Sequence, residues 1–266
     1  MNIQISERLK KIASFVPEGS VLADIGSDHA LLPIFLAAQE QIASAIAGEV
    51  NEGPYRASCQ NVRQHGLGKV IDVRLGNGLS VVQQGEASCI TIAGMGGSLI
   101  CTILEEGKDK LKGVQRLVLQ PNVGEEQVRI WLLKNGWYLE HETILEEDQK
   151  IYEILIARPA ISADELRLNY PVTATLSHQL TLTKEELLLF GPYLVREHSE
   201  VFLNKWAGEL RKLGRVMDNM ANSASAESIE KRKRFEEHYK RLKEVWTCLQ
   251  KEQPSSNYSK NGSPSL

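Results

Sequence analysis

The order of apolar runs and turns constrains this chain most. Five short apolar segments, Leu22 to Ile25, Ile42 to Ala47, Val70 to Leu75, Ala87 to Ile92 and Arg116 to Leu119, each end in a glycine-bearing or polar turn that leads into a helical stretch. Apolar runs of that length suit strands covered on both faces, and intervening helices suit crossover connections. The alternation predicts an α/β fold whose sheet is doubly wound and mostly parallel. After Gly136 the pattern changes: Trp137 to Leu145 and Lys150 to Ala157 are extended stretches joined by Glu-Glu-Asp-Gln. This predicts a hairpin, and with it one antiparallel strand. An amphipathic helix over residues 5–16, with Ile5, Leu9, Ile12 and Val16 on one side, precedes the first strand.

Open sheets place their ligands beyond the carboxyl ends of the strands, so the residues there are the candidate site. Residues 22–33 read Leu-Ala-Asp-Ile-Gly-Ser-Asp-His-Ala-Leu-Leu-Pro, a strand, a tight turn and a helix start. Gly26 lets a ligand approach the main chain, and Asp24 sets a carboxylate beside it. A carboxylate repels phosphate, which weighs against a dinucleotide and toward a ligand with an amine or sulfonium, S-adenosylmethionine. A plainer alternative has Ser27 or Asp28 capping the helix and Gly26 making the turn. Glu49 follows Asp24 by 25 residues and is placed to accept hydrogen bonds from ribose hydroxyls.

Asn77 is expected to pair with an adenine edge, with Gly78 admitting the ring. Ala93-Gly94-Met95-Gly96-Gly97 holds three glycines in five residues, which points to close approach of a ligand or substrate. In Gln120-Pro121-Asn122, Pro121 fixes the backbone and Asn122 offers both a donor and an acceptor, suited to gripping a planar base. An ordinary turn with an Asn cap fits that tripeptide too.

Beyond Arg158 the strand pattern stops. Thr183-Lys184-Glu185-Glu186 has the form of a capping box. Leu203, Trp206, Leu210, Leu213, Met217 and Met220, and after a break at 221–228 Phe235, Tyr239, Leu242, Trp246 and Leu249, recur at spacings of three and four. They predict an antiparallel coiled-coil hairpin whose aromatic residues are core. The expected organisation is a body over 1–158, a helical domain over 159–252 and a disordered tail over 253–266. Residues 1–157 hold 14 Lys/Arg and 20 Asp/Glu, whereas 158–266 hold 17 and 14, so an acidic body carries a basic appendage. Lys231, Arg232, Lys233 and Arg234 open the second helix. Such a run is usually a solvated face, but on a projecting hairpin it can grip RNA through phosphates.

The N-terminus lacks a signal-peptide layout and no apolar stretch approaches spanning length, so a cytoplasmic location without membrane attachment is expected. Cys59, Cys89, Cys101 and Cys248 form no Cys-x-x-Cys pair and predict neither disulfides nor a metal site.

In combination, Asp-Ile-Gly-Ser-Asp-His-Ala, Gly-Glu-Val-Asn-Glu-Gly-Pro, Gly-Asn-Gly-Leu, Ala-Gly-Met-Gly-Gly and Gln-Pro-Asn resemble one family, the bacterial tRNA (adenine-22-N1)-methyltransferases, or TrmK family. The resemblance is close over residues 1–158 and extends through the appendage. It implies a Rossmann-like class I methyltransferase sheet, S-adenosyl-L-methionine as cofactor, tRNA as partner, and methylation of adenine N1. It further implies cofactor contacts from Asp24, Gly26, Ser27, His29, Glu49, Val50, Asn77, Gly78, Ala93, Gly94 and Met95. Substrate contacts would come from Gly96, Gln120, Pro121 and residues 231–234, and the chemistry from Asp28 and Asn122. Where many methyltransferases carry glycines, this loop has Asp28 and Ala30, and a carboxylate there is placed for more than cofactor binding. The alternatives are methylation of another RNA or of a small molecule on the same fold, a non-catalytic S-adenosylmethionine-binding scaffold, and a nicotinamide dehydrogenase.

Overall fold

The structure, a computed structural model, describes residues 3–177, 180–220 and 226–252. In chain order its elements are α1 (Glu7–Ala13), β1 (Ser20–Ile25), α2 (Leu31–Ala38), β2 (Ile42–Glu49), α3 (Glu52–Gln64) and β3 (Ile71–Leu75). Then come β4 (Cys89–Gly96), α4 (Gly97–Glu106), β5 (Arg116–Val123), α5 (Glu125–Lys134), β6 (Trp137–Glu147) and β7 (Lys150–Pro159). The last are α6 (Ala163–Asn169), β8 (Thr173–Ser177), β9 (Leu180–Thr183), α7 (Lys184–Phe190), α8 (Leu194–Glu197), α9 (Glu200–Met220) and α10 (Ala226–Glu252).

Seven strands form one sheet in the order β3-β2-β1-β4-β5-β7-β6. The first five are parallel, and β7 pairs antiparallel with both β5 and β6. The chain reverses direction away from β1 after β3, which leaves the carboxyl ends of β1, β2, β4 and β5 on one rim. Beneath it Ile12, Leu22, Leu36, Ile42, Ala47, Cys89, Val118 and Ile156 belong to one buried cluster. The continuous apolar runs of β1 and β4 are covered on both faces, as their composition requires.

By contacts the chain forms two compact units, one of residues 1–174 with 182–194, the other of 175–181 with 195–266. The first therefore extends past 158 and takes in α7. The reason is a buried cation. Arg129 of α5 bonds Glu142 (2.6 Å) and Glu153 (2.5 Å), and its Nη1 donates to the carbonyls of Leu188 and Leu189, which α7 supplies. The capping box at Thr183 and Glu186 is present. The strand pattern does not stop at Arg158, because β8 and β9 make a small two-stranded sheet.

In the second unit α9 and α10 run antiparallel: Trp246 Nε1 donates to the Leu203 carbonyl at 3.0 Å, while Gly214 lies by Tyr239. Leu203, Trp206, Leu210, Leu242, Val245 and Leu249 are buried, and Leu213 and Met217 only half so. The Met220 side chain, the connection over 221–225 and the tail over 253–266 lie outside the described residues, and residues 226–228 already belong to α10. No described helix is long and apolar enough to cross a membrane.

Candidate active site

β1 delivers Asp24 and then turns at Gly26, φ +70°. The N–H groups of Gly26 and Ser27 donate to the Gly48 carbonyl at the end of β2, at 2.9 and 3.2 Å. Both are thus engaged by the neighbouring strand. Asp24 is buried, and its two oxygens accept from Ser27 Oγ and Thr91 Oγ1. Burial pushes its carboxyl up to about 6; the hydrogen bonds from Ser27 and Thr91 oppose the rise, the Glu49 carboxylate adds to it, and Arg8 opposes it. Asp24 braces the loop from below, with Ser27 as its partner. The residue at the cap of α2 is Ala30, with no side-chain cap, so neither Ser27 nor Asp28 caps that helix.

Asp28, His29 and Ala30 have φ of +48°, +67° and +58°, three successive left-handed residues of which none is glycine. Each costs about 1–2 kcal/mol. Such strain persists only where neighbours over-determine it, and it collects at functional sites. Asn61 of α3 helps hold the turn by donating to the His29 carbonyl at 3.1 Å. Asp28 is thereby turned outward, its side chain 83% exposed and 3.7 Å from His29 Nε2. The two carboxylates of the motif occupy opposite environments, Asp24 sealed and Asp28 open.

Glu49 is buried at the end of β2 and accepts from Ser58 of α3 at 3.0 Å; Val50 beside it is exposed. Asn77 is exposed ahead of the short 3-10 turn Gly78–Val81. A Cβ on Gly78 would stand 3.1 Å from Ile103 of α4, so the missing side chain makes room for packing.

β4 and β5 run on through the glycine and proline segments, with register shifts at Met95 and Gly96. At their ends a ring of amides closes. Gly94 N–H donates to Gln120 Oε1 (3.1 Å), Gln120 Nε2 to Asn122 Oδ1 (3.1 Å) and Asn122 Nδ2 to the Gly94 carbonyl (2.8 Å). Gln120 Nε2 also donates to the Pro121 carbonyl (2.8 Å), and Arg8 Nη1 of α1 donates to Gln120 Oε1 at 2.7 Å. Gln120 is fully buried and Pro121 buried in β5, so neither side chain faces a substrate as expected, while Asn122 stays exposed. Arg8 carried no sequence signal, since one arginine on a short amphipathic helix reads as a solvated charge.

The three glycines of the β4 loop divide their tasks. Gly94 takes φ +77°. A Cβ on Gly97 would stand 2.2 Å from the Gly124 carbonyl oxygen, so two backbones meet there and no ligand is needed to explain it. Gly96 has open space around its Cβ position. Met95 lies across Gly26, where a Cβ would come 2.2 Å from its Cε, joining the β1 and β4 loops. Thermal unfolding should therefore separate two substitutions: Gly97→Ala is expected to lose about 1–3 kcal/mol by overpacking, and Gly96→Ala to melt like the parent. Equal midpoints would refute the backbone contact.

On α10, Arg232 pairs with Glu236 at 2.8 Å and Arg234 with Glu230 at 3.2 Å, while Lys233 is exposed. The Lys231 side chain lies outside the described residues. Two surface hollows, of about 490 Å³ along Tyr55 to Gln64 and about 400 Å³ beside Ser44 and Lys69, include neither the strand-end acids nor the glycine loops. Among the described residues no cluster of His, Cys, Asp and Glu is arranged to hold a metal ion.

This sheet order, with acids closing β1 and β2 and a glycine loop closing β4, defines a Rossmann-like methyltransferase. Residues 22–244 match the family described as TrmK, tRNA (adenine(22)-N(1))-methyltransferase. The chain is 41% identical over 244 residues to the tRNA (adenine(22)-N(1))-methyltransferase of Bacillus subtilis (strain 168), covering 91% of this chain and 97% of that protein. It also resembles the crystal structure of the B. subtilis M1A22 tRNA methyltransferase TrmK, with TM-score 0.83 and 40% identity, covering 92% of this chain and all of that one. Streptococcus pneumoniae Sp1610 in complex with S-adenosyl-L-methionine matches with TM-score 0.75 and 43% identity, covering 91% of this chain and all of its own. The chain belongs to the TrmK family.

Proposed function

We infer that this chain methylates N1 of adenine 22 in tRNA, in the cytoplasm, with S-adenosylmethionine as methyl donor. The outward-held Asp28 carries the reading, because strain over residues 28–30 presents one unburied carboxylate at the rim where Met95 ties the β1 and β4 loops together. The donor set fits the cofactor: Glu49 at the end of β2 suits ribose hydroxyls, the exposed Asn77 an adenine edge, and the space at Gly96 a nearby ligand. S-adenosylmethionine supplies an electrophilic sulfonium methyl.

Adenine N1 has an in-plane lone pair, so no strong base must act before attack. The protein's task is alignment, exclusion of water and tolerance of the positive charge that appears on the ring. Asp28 stabilises that charge or takes a proton from the exocyclic amine. Asn122, its Oδ1 and one Nδ2 hydrogen engaged by the loop, has one N–H left to steady the base edge. An N1 engaged in folded tRNA has to be exposed first, and extrusion of the nucleotide does that. Arg232, Lys233 and Arg234 supply salt-sensitive phosphate contacts.

The test is methyl incorporation into unmodified tRNA, with the modified nucleotide mapped, beside ribosomal RNA and small metabolites as competing acceptors. Methyl groups at N1 of adenine 22 are expected; incorporation elsewhere, or none, defeats the reading.

A further inference from the structure

Arg8 enters the site from α1, 112 positions before the residue it touches. Its guanidinium donates to Gln120 Oε1 and lies 5.3 Å from the centroid of the Tyr152 ring on β7. The start of α1 is itself anchored, since Glu147 accepts from the backbone N–H groups of Glu7 (2.6 Å) and Arg8 (3.4 Å). A cation on α1, held against β6 and β7, thus presses on the buried amide that carries the Gly94 and Asn122 contacts.

Arginine has donors only, so the Gln120 atom facing it is the oxygen. Nε2 must then face Pro121 and Asn122, and Asn122 must answer with its oxygen. Its Nδ2 is left toward Gly94 and the solvent. The Gly94 N–H and the Pro121 carbonyl favour the same sense, and the guanidinium adds the one charge-assisted bond among these contacts. Each amide whose oxygen accepts becomes a better donor at its nitrogen, so the positive charge is felt along Gln120 as far as Asn122.

Resting on the function proposed above, we propose that Arg8 is a positioning residue for methyl transfer, locking Asn122 through Gln120 with its N–H toward the substrate base. Asn122 then meets a ring acceptor other than the atom being methylated, and an exocyclic amine finds no partner in it.

The test uses the full chain, S-adenosylmethionine and unmodified tRNA. Arg8→Met keeps an apolar stem over Tyr152 and removes the donor, so kcat is expected to fall about tenfold, in line with the cost of small misplacements. Cofactor Kd should stay within about twofold and the melting midpoint near the parent's, because neither depends on the orientation of Asn122. Arg8→Lys, which keeps one charged donor, should recover most of the turnover. In an Asn122→Ala background Arg8→Met should cost nothing further, since it acts through the missing side chain. Parental kcat in Arg8→Met, a loss that tracks cofactor affinity or melting, no recovery with lysine, or additive effects with Asn122→Ala would each overturn the proposal. A parent chain inactive on tRNA would defeat the functional reading and, with it, the role given to Arg8, whereas an active parent with any of those results defeats the Arg8 role alone.

Discussion

Arg129→Met should unfold well below the parent, with a loss of about 3–5 kcal/mol, the range for breaking a buried ion pair from one side. The arginine has no exposed side-chain surface, and Glu142 and Glu153 beside it are buried almost as completely. Remove the cation and two carboxylates remain in a dry interior, on neighbouring strands β6 and β7. Burial already raises the Glu142 carboxyl; Arg129 opposes that and the nearby Glu153 carboxylate adds to it. Gly191, φ +86°, closes over the cluster, where a Cβ would stand 2.6 Å from Arg129 Nη2. The leucine carbonyls of α7 and the Tyr193 N–H, which donates to Glu142 Oε2 at 3.1 Å, would lose their arrangement too. For a unit of this size the midpoint should drop by about 10 °C. Calorimetry decides, and a parental midpoint would show that the triad stabilises nothing.

Asp28→Asn should slow single-turnover methyl transfer by about 100-fold, the scale of losing one electrostatic contact to a transition state. Asparagine is the apt replacement because it tolerates the left-handed backbone that residue 28 adopts, φ +48°, whereas alanine would add strain of its own. The side chain makes no contact with the buried core, so titration with S-adenosylmethionine should give a Kd within a few fold of the parent's. Unchanged turnover would remove Asp28 from the chemistry. A cofactor affinity falling in step with the rate would make it a binding group instead.

The strand-turn-helix alternation was legible, because covered strands must be apolar along their length and the helices between them need glycine-bearing turns. The ends of β4 and β5 were not. Gly94 and Pro121 break the apolar pattern while pairing continues past them, with the register shifting by a residue. The acids at the strand ends were found, but their roles were mixed: spacing shows that Asp24 and Asp28 flank a turn and is silent on which one faces inward. The resemblance implies a substrate contact at Gln120, yet Gln120 is the hub of an amide ring. Arg129 left no trace, since a charge between Val128 and Ile130 reads as the solvated side of a helix until both glutamates are seen around it.

Chain order alone determined a mostly parallel sheet with one antiparallel strand, the rim on which acids and glycines gather, and the antiparallel helices that follow. These depend on neighbours a few residues apart, where periodicity and turn chemistry act. Tertiary structure decided which polar groups are consumed and which remain to act: Ser27 on Asp24, Gly97 on Gly124, Arg8 on Gln120. Every such assignment needs a partner brought close by folding, and a hydrogen bond is either made or lost within a fraction of an ångström, a distance that spacing along a chain does not encode.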